Sequence, residues 1–263
     1  MSQKHLSIHD LAAMKQQGEK IACLTAYDAS FSTLIDNAGI DAMLVGDSLG
    51  MVFQGRDSTL SVTLDDMIYH TRCVSAARRR AFVIADMPFL TYPEPLGAAL
   101  NAAKLMRAGA QMVKLEGARF DVVQFLVDQG IPVCGHLGLL PQSINRLGGY
   151  KVQGIEPADA DKITADAQKL QDVGASLLVL ECVPATLAAE ISAQLVIPVI
   201  GIGAGVDCDG QVLVLYDMLD IGVGKRPRFS RNFMQPPVAI AEALGNYRQA
   251  VKGRGFPTLE HSF

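Results

Sequence analysis

Residues 108–115 read AGAQMVKL, in which Gly109 shortly precedes the run MVKL, which is apolar except for Lys114. The same arrangement recurs in AGIDAMLV (38–45), QGIPVCG (129–135) and VGASLLVL (173–180). Glycine commonly ends a helix, and an apolar run without alternation is typical of a strand buried on both faces. Each stretch therefore predicts the end of a helix and the start of a parallel strand.

Eight apolar runs are spread along the chain, and each is followed by a longer segment with helical spacing. They are 21–27 (IACLTAY), 42–46 (AMLVG), 82–85 (FVIA), 112–115 (MVKL), 132–135 (PVCG), 177–180 (LLVL), 198–202 (PVIGI) and 212–216 (VLVLY). Two capping-box-like pairs, Ser7 with Asp10 and Thr63 with Asp66, predict helix starts.

Eight strands alternating with helices in 263 residues, with no obvious linker, predict a single α/β domain. We expect a (β/α)₈ TIM barrel over residues 1–263, with an N-terminal helical segment, since such barrels take about 250 residues. A doubly wound sheet is the alternative. It is less favoured because neither a G-x-G-x-x-G nor a Walker A sequence occurs.

Composition and charge exclude several classes of function. The net charge is −4 and the sequence pI is about 5.7, so no general basic field exists to attract nucleic acid. No apolar stretch reaches the roughly 18 residues that span a bilayer, and the N-terminus lacks the apolar region of a secretory signal. Five scattered cysteines without a C-x-x-C pair indicate reduced thiols. We expect a cytoplasmic protein that binds neither nucleic acid nor a membrane.

Titratable residues follow nearly every predicted strand. They are Asp28, Asp47, Asp86, Glu116, His136, Glu181 and Asp217, with glycines around Gly203 after the seventh run. In a barrel the catalytic groups lie at this carboxyl end of the strands, although strand ends are often polar only because they meet solvent. A carboxylate cluster without His or Cys ligand spacing favours Mg²⁺ over zinc. Asp47 and Asp86 could face one ion, and Glu116 could bind it directly or through water.

Three further side chains are candidates for the chemistry. Lys114 lies two positions before Glu116 and so faces the same side of its strand. It could anchor a substrate carboxylate or carbonyl oxygen, form a Schiff base, or pair structurally with Glu116 or Asp86. Glu181 ends a very apolar run that should raise its pKa, which suits a general base. His136 could donate a hydrogen bond or orient a neighbour, or it could be a satisfied core histidine.

The segment 137–157, LGLLPQSINRLGGYKVQGIEP, is unusually long for a connection inside a compact domain. Such a loop is usually a lid or binding loop, and a subunit contact is the alternative. The basic segment 225–231, KRPRFSR, is interpreted as a solvated or subunit-contacting loop.

The chain resembles the ketopantoate hydroxymethyltransferase (3-methyl-2-oxobutanoate hydroxymethyltransferase) family. The matching segments are TAYD (25–28), MLVGDSLGMV (43–52), ADMPF (85–89), VKLEG (113–117), VCGHLGLLPQS (133–143), GGYKVQG (148–154), LECVP (180–184) and IGIGAG (200–205). They run in family order over nearly the whole chain. GDSLGM and GGYKVQG are specific signatures, whereas IGIGAG alone would be weak.

The resemblance implies a barrel of the phosphoenolpyruvate/pyruvate-binding type. It also implies transfer of a hydroxymethyl group from 5,10-methylenetetrahydrofolate to 3-methyl-2-oxobutanoate, giving 2-dehydropantoate in pantothenate biosynthesis. Asp47 and Asp86 match the Mg²⁺ ligands, Glu116 a third metal-linked acid, and Glu181 the proton acceptor. The residues matched to keto-acid binding are Asp47, Ser48, Asp86 and Lys114, and His136 is a further candidate. Family members are homo-oligomers, commonly decamers.

Two rival functions stay open at this point. One is a Mg²⁺-dependent C–C lyase acting on a 2-keto or 2-hydroxy acid. Such lyases depend on a reactive-cysteine loop, for which only Cys134 and Cys182 are candidates and no K-K-C-G-H-like segment occurs. The other is a non-catalytic barrel kept for ligand binding or assembly, which the row of acids and the inward lysine disfavour.

Overall fold

Eight parallel strands close into a barrel in sequence order, which confirms the predicted fold. The computed structural model describes residues 5–222 and 224–263. The strands are β1 Ile21–Thr25, β2 Ala42–Val45, β3 Phe82–Asp86, β4 Met112–Glu116, β5 Val133–Gly138, β6 Leu177–Glu181, β7 Val199–Ile202 and β8 Gly210–Leu213. Strand β1 pairs with β8 and closes the circle.

Helices surround the barrel. They are α1 Ile8–Gln16, α2 Ala29–Asn37, α3 Leu49–Val52, α4 Leu64–Ala77, α5 Pro95–Arg107, α6 Phe120–Asp128, α7 Ile144–Leu147, α8 Pro157–Asp172, α9 Ala185–Gln194, α10 Leu215–Met218 and α11 Ile240–Lys252. Short 3₁₀ turns lie at Thr59–Ser61, Pro141–Ser143 and Leu259–His261. No helix in the described ranges is both long enough and apolar enough to cross a membrane.

The local signals at the helix ends are confirmed. Helices α1 and α4 begin with the predicted capping boxes. The glycines of the four repeated stretches all have positive φ, at 78° for Gly39, 110° for Gly109, 77° for Gly130 and 97° for Gly174. A residue in this conformation ends a helix and turns the chain towards the next strand. The repeated glycine therefore sets where β2, β4, β5 and β6 begin.

The predicted alternation is wrong at the end of the barrel. Only residues 203–209 join β7 to β8, and the structure places no helix there. The run 212–216 is also wrong in its bounds, because β8 ends at Leu213 and α10 begins at Leu215. Leu213 and Leu215 are equally buried, one on a strand and one on a helix. Hydrophobicity alone therefore could not separate the two elements.

Helix α1 covers the amino-terminal end of the barrel. Leu11 packs against the inward-facing apolar residues of the strands. The Lys15 ammonium donates to the carbonyl oxygens of Ser192 at 2.8 Å and Ile197 at 3.0 Å, and to Asp209 Oδ2 at 2.7 Å. These three contacts hold the helix across the strand starts.

The inward-facing positions change from apolar to polar along β3, β4, β5 and β6. Side chains two residues apart face the same side of a strand. Met112 is thus followed inside the barrel by Lys114 and Glu116, and Ile84 by Asp86. In the same way Cys134 precedes His136, and Val179 precedes Glu181. The carboxyl end of the barrel therefore has a titratable lining above an apolar plug.

Candidate active site

A cavity of about 510 Å³ opens at the carboxyl end of the barrel. Its deep end is lined by Asp47, Ser48, Asp86, Lys114, Glu116, His136 and Glu181, which are all of the predicted site residues. A larger cavity of about 820 Å³ lies outside the barrel, beneath the loop that follows β5. It meets only Glu116 of this group, so we place the chemistry in the smaller cavity.

Lys114 and Asp86 form a buried ion pair on neighbouring strands. The register of β3 and β4 places the two residues side by side, and Lys114 Nζ lies 2.6 Å from Asp86 Oδ1. The other oxygen, Asp86 Oδ2, accepts the backbone N–H of Asp47 at 3.0 Å. The pair therefore fixes the turn that carries Asp47 after β2.

Gln142, which the sequence analysis missed, connects Asp47 to Glu116. Its Nε2 donates to Asp47 Oδ2 at 2.8 Å and to the Met87 carbonyl at 3.0 Å. Its backbone N–H donates to Glu116 Oε2 at 3.0 Å. The Tyr92 hydroxyl donates to Gln142 Oε1 and accepts the backbone N–H of Glu116. The signals were the length of the loop after β5 and the family-matching segment VCGHLGLLPQS, which contains Gln142, because an amide and a phenol carry no charge pattern.

Glu181 and His136 face each other across β5 and β6. His136 Nε2 lies 3.3 Å from Glu181 Oε2, and Nδ1 lies 3.9 Å from Glu116 Oε1. Burial, with the Lys114 charge, lowers the pKa of His136 well below its usual value. The imidazole is therefore neutral. Neither ring nitrogen has a hydrogen bond within the described part of the chain, so His136 can still take a bound molecule as its partner.

Burial raises the pKa of three acids in this cavity. Burial and the neighbouring Asp86 charge raise the pKa of Asp47 to about 7, although the Lys114 charge and the hydrogen bond from Gln142 lower it. Burial, reinforced by Asp47, raises the pKa of Glu116 well above its usual value. Burial raises the pKa of Glu181 to about 7, and Lys114 opposes this rise.

Lys114 is the ammonium within this group. Burial alone would lower its pKa, but Asp86, Glu116 and Asp47 together raise the pKa above the usual lysine value. A charged ammonium can bind an anionic oxygen. A Schiff base requires the neutral amine, so the raised pKa of Lys114 favours the anchoring role over the Schiff-base role.

Sequence comparison decides the family. The family described as Ketopantoate hydroxymethyltransferase matches residues 5–259. The chain belongs to this family. It is 56% identical over 264 residues to 3-methyl-2-oxobutanoate hydroxymethyltransferase 1 of Burkholderia cenocepacia (strain HI2424), covering 100% of this chain and 97% of the relative. The 3-methyl-2-oxobutanoate hydroxymethyltransferase of Nitrosococcus oceani is 57% identical over 261 residues, and the match covers 98% of this chain and 99% of the relative.

Solved structures with this barrel extend beyond the ketopantoate hydroxymethyltransferase family. A putative lyase/mutase from Burkholderia cenocepacia J2315 superposes with a TM-score of 0.62 at 18% identity, covering 97% of each chain. A phosphonopyruvate hydrolase in complex with oxalate and Mg²⁺ superposes with a TM-score of 0.61 at 10% identity, and the match covers 94% of this chain and 98% of that one. At these identities the likeness concerns the fold alone. The neighbours include 2,3-dimethylmalate lyase, described as a PEP mutase/isocitrate lyase superfamily member, and they share the predicted barrel fold.

The donor set suits a hard divalent cation. Asp47, Asp86, Glu116 and Glu181 offer oxygen ligands to one cavity, with Lys114 as the compensating charge, and oxygen donors suit Mg²⁺. Residues 5–222 and 224–263 contain no group of three or more His, Cys, Asp or Glu side chains arranged to hold a metal ion. Mg²⁺ usually takes one or two carboxylates and keeps water or substrate in its other positions. The chemistry of Asp47 and Asp86 fits Mg²⁺, and their role as ligands, like a direct bond from Glu116, stays a prediction.

Two of the strand-end acids have other positions than those expected. Asp28 does not line the cavity. Its Oδ1 accepts the backbone N–H of Phe31 at 2.9 Å and caps α2, because β1 ends three residues earlier, at Thr25. Asp217 does line the cavity, but it lies on α10 near the mouth instead of directly after a strand.

The cysteines that a lyase would need are unreactive in this fold. Cys134 and Cys182 are both buried. Burial raises the pKa of the Cys134 thiol to about 12, and that of Cys182 also above its usual value. Since the thiolate is the reactive form, neither residue supplies a thiolate nucleophile at neutral pH.

Proposed function

We propose that this protein transfers a hydroxymethyl group from 5,10-methylenetetrahydrofolate to 3-methyl-2-oxobutanoate, giving 2-dehydropantoate for pantothenate biosynthesis. The observation that carries the proposal is one cavity that contains a buried acid–lysine pair, Asp86 and Lys114, and a glutamate, Glu181, that lies 3.3 Å from His136 and whose pKa burial raises to about 7. Such a cavity suits an anionic keto acid that must lose a carbon-bound proton. The family and its relatives make this particular keto acid the expected one.

The keto acid is held at the deep end of the cavity. Lys114 presents its ammonium to an anionic oxygen of the substrate, and the ion pair with Asp86 keeps this ammonium fixed. The Ser48 hydroxyl, positioned at 2.9 Å by the Tyr27 hydroxyl, is a second hydrogen-bonding group. Asp47 and Asp86 would hold Mg²⁺, which supplies Lewis acidity at the carboxylate and 2-oxo oxygens of the substrate.

Glu181 is the proposed base. Its carboxylate accepts the C3 proton, and a base with a pKa near the working pH is the most efficient one. Neutral His136, at 3.3 Å, can donate to Glu181 without giving it a fixed positive charge. The C3 carbon then bonds to the methylene carbon of the donor, and the two bonds from the methylene carbon to the folate nitrogens break. Water supplies the hydroxyl group, and the two nitrogens take up the proton removed from C3 and the second proton of the water. Tetrahydrofolate leaves.

The cellular location and the oligomeric state of the enzyme are part of the same proposal. We infer a cytoplasmic homo-oligomer, a decamer as is common in the family, that acts on small molecules. Analytical ultracentrifugation at micromolar concentration tests the assembly. A single monomeric species there would contradict it.

Proton exchange at C3 tests the reaction directly. The protein is mixed with Mg²⁺ and 3-methyl-2-oxobutanoate in D₂O without folate, and the C3 proton is followed by NMR. Loss of the signal that EDTA blocks is the expected result. No exchange, either alone or with tetrahydrofolate present, would show that the substrate assignment is wrong.

A further inference from the structure

The cavity is larger than the keto acid requires. 3-Methyl-2-oxobutanoate has eight non-hydrogen atoms. At roughly 30 Å³ for each, the share of liquid volume of one water, it fills at most about 240 Å³, less than half of the 510 Å³ available. A volume of this size is typical of sites for larger ligands. The outer half of the cavity therefore has room for a second molecule beside the first.

The outer half differs chemically from the deep half. Its walls are apolar and aromatic, with Met51, Leu139, Tyr150, Phe229 and Phe263 in place of carboxylates. Tyr150 comes from the loop after β5 and is 54% exposed, so much of its ring is free to be covered. Phe263, the last residue of the chain, packs beneath the Arg228 guanidinium at 5.2 Å. Aromatic walls at the mouth of a polar cavity suit a flat heterocycle.

One carboxylate interrupts these apolar walls. Asp217 on α10 lines the cavity, and in the described part of the chain its side chain has no hydrogen bond or ion pair. Arg226 makes its ion pair with Asp220, at 2.7 Å, instead. Burial raises the pKa of Asp217 to about 6. The Arg226 charge lowers this pKa, and the smaller effect of Asp220 raises it. At neutral pH the group is thus a half-buried anion without a partner, and such a group is costly unless a ligand pairs with it.

We propose that the outer half of the cavity binds the pterin ring of the one-carbon donor, and that Asp217 accepts hydrogen bonds from the ring's 2-amino group and N3–H. These two donors point in parallel from one edge of a 2-amino-4-oxopyrimidine. A carboxylate matches them with two oxygens, as it matches a guanidinium. The inference rests on the proposed function, because it concerns the donor of that reaction.

The position of the donor follows from the reaction and from the charges at the rim. The methylene carbon must reach C3 of the keto acid, so its ring has to share the cavity with Glu181 instead of lying elsewhere on the surface. Lys225 and Arg228 line the outer part of the same cavity and are exposed. Two cations at the rim match the carboxylates of the glutamate tail, which would extend towards solvent.

Tetrahydrofolate binding, measured by calorimetry with Mg²⁺ present, tests the inference independently of turnover. Asp217→Asn replaces one acceptor oxygen by a donor that faces the ring's own donors. We expect the dissociation constant to rise roughly 10- to 100-fold, since hydrogen bonds to charged groups contribute about 1.5–3 kcal/mol. Asp161→Asn on α8 is the matched control, because Asp161 is exposed and lies outside the cavity. It should bind tetrahydrofolate as the wild type does.

A 2-desamino analogue of tetrahydrofolate makes the test specific to the proposed contact. The wild type should bind it at least tenfold more weakly than tetrahydrofolate, and Asp217→Asn should lose this discrimination. The wild-type comparison decides the matter even where the variant does not fold. Equal affinities for the two ligands, or tetrahydrofolate binding unaffected by Asp217→Asn, would overturn the inference and leave the function standing. No binding of tetrahydrofolate to a wild type that exchanges the C3 proton would overturn the choice of donor, and the inference with it.

Discussion

Glu181→Gln gives the most direct test of the proposed base. The substitution keeps the size and the buried position of the side chain, and it leaves Lys114, Asp86 and Asp47 in place. The amide cannot accept the C3 proton. A positioned base typically contributes about 10²–10⁴-fold, which corresponds to roughly 3–5 kcal/mol of activation free energy at about 1.36 kcal/mol per tenfold. We therefore expect C3-proton exchange in D₂O to fall by at least about a hundredfold.

Binding and fold should survive this change. Affinity for 3-methyl-2-oxobutanoate, measured by calorimetry with Mg²⁺, should stay within a fewfold of wild type, because Lys114 and the aspartate pair provide the contacts. Glu190→Gln on the exposed face of α9 is the matched control and should change neither value. An exchange rate for Glu181→Gln within tenfold of wild type, in a variant that still binds the keto acid, would refute the assignment of the base.

Three further outcomes follow from the geometry. Gly138→Ala should destabilise the fold by more than about 2 kcal/mol in urea denaturation, because φ is +89° and a Cβ would overlap the carbonyl oxygen of Glu181; a smaller loss would show that the strand end is compliant. Gln142→Ala should cost about 1–3 kcal/mol in the same assay, since it leaves Asp47 Oδ2 without its buried donor, and an unchanged midpoint would contradict this. With EDTA present, stability should fall as pH rises from about 4 to 7, because the native state holds protons on Asp47 and Glu181 that the unfolded chain has released. Asp47→Asn should flatten that dependence, and an equally steep one would count against it.

The sequence predicted the strands well because a strand buried on both faces is a continuous run of apolar residues. Each of the eight apolar runs contains or overlaps a strand of the barrel. The last run shows the limit of this signal. Leu213 and Leu215 are both apolar and both buried, yet one ends β8 and the other begins α10. A continuous apolar run indicates that its residues are buried, but it does not indicate whether their backbone is hydrogen-bonded as a strand or as a helix.

Some residues of the candidate site were predictable from the sequence and others were not. Asp86, Glu116 and Glu181 could be placed in advance because they occupy the last inward positions of strands whose direction was predictable. Gln142 could not, since its contact with Asp47 spans 95 positions in sequence and depends on how a long loop folds over the barrel. Asp28 shows the opposite error. It follows an apolar run, but it caps α2 instead of entering the cavity.

The charges in the cavity also constrain the order in which ligands can bind. Asp47, Asp86, Glu116 and Glu181 surround the ammonium of Lys114, and Asp86 already pairs with it at 2.6 Å. A keto acid is itself an anion, so entering this cavity alone would add negative charge where the pKa values of Asp47 and Glu181 are already raised to about 7. A divalent cation removes that obstacle. It would favour the ionised acids, freeing Glu181 to act as a base at neutral pH, and it would give the substrate a positive partner. The electrostatics therefore predict that a divalent cation would bind before, or together with, the keto acid, and that Glu181 would then be ionised and able to act as the base.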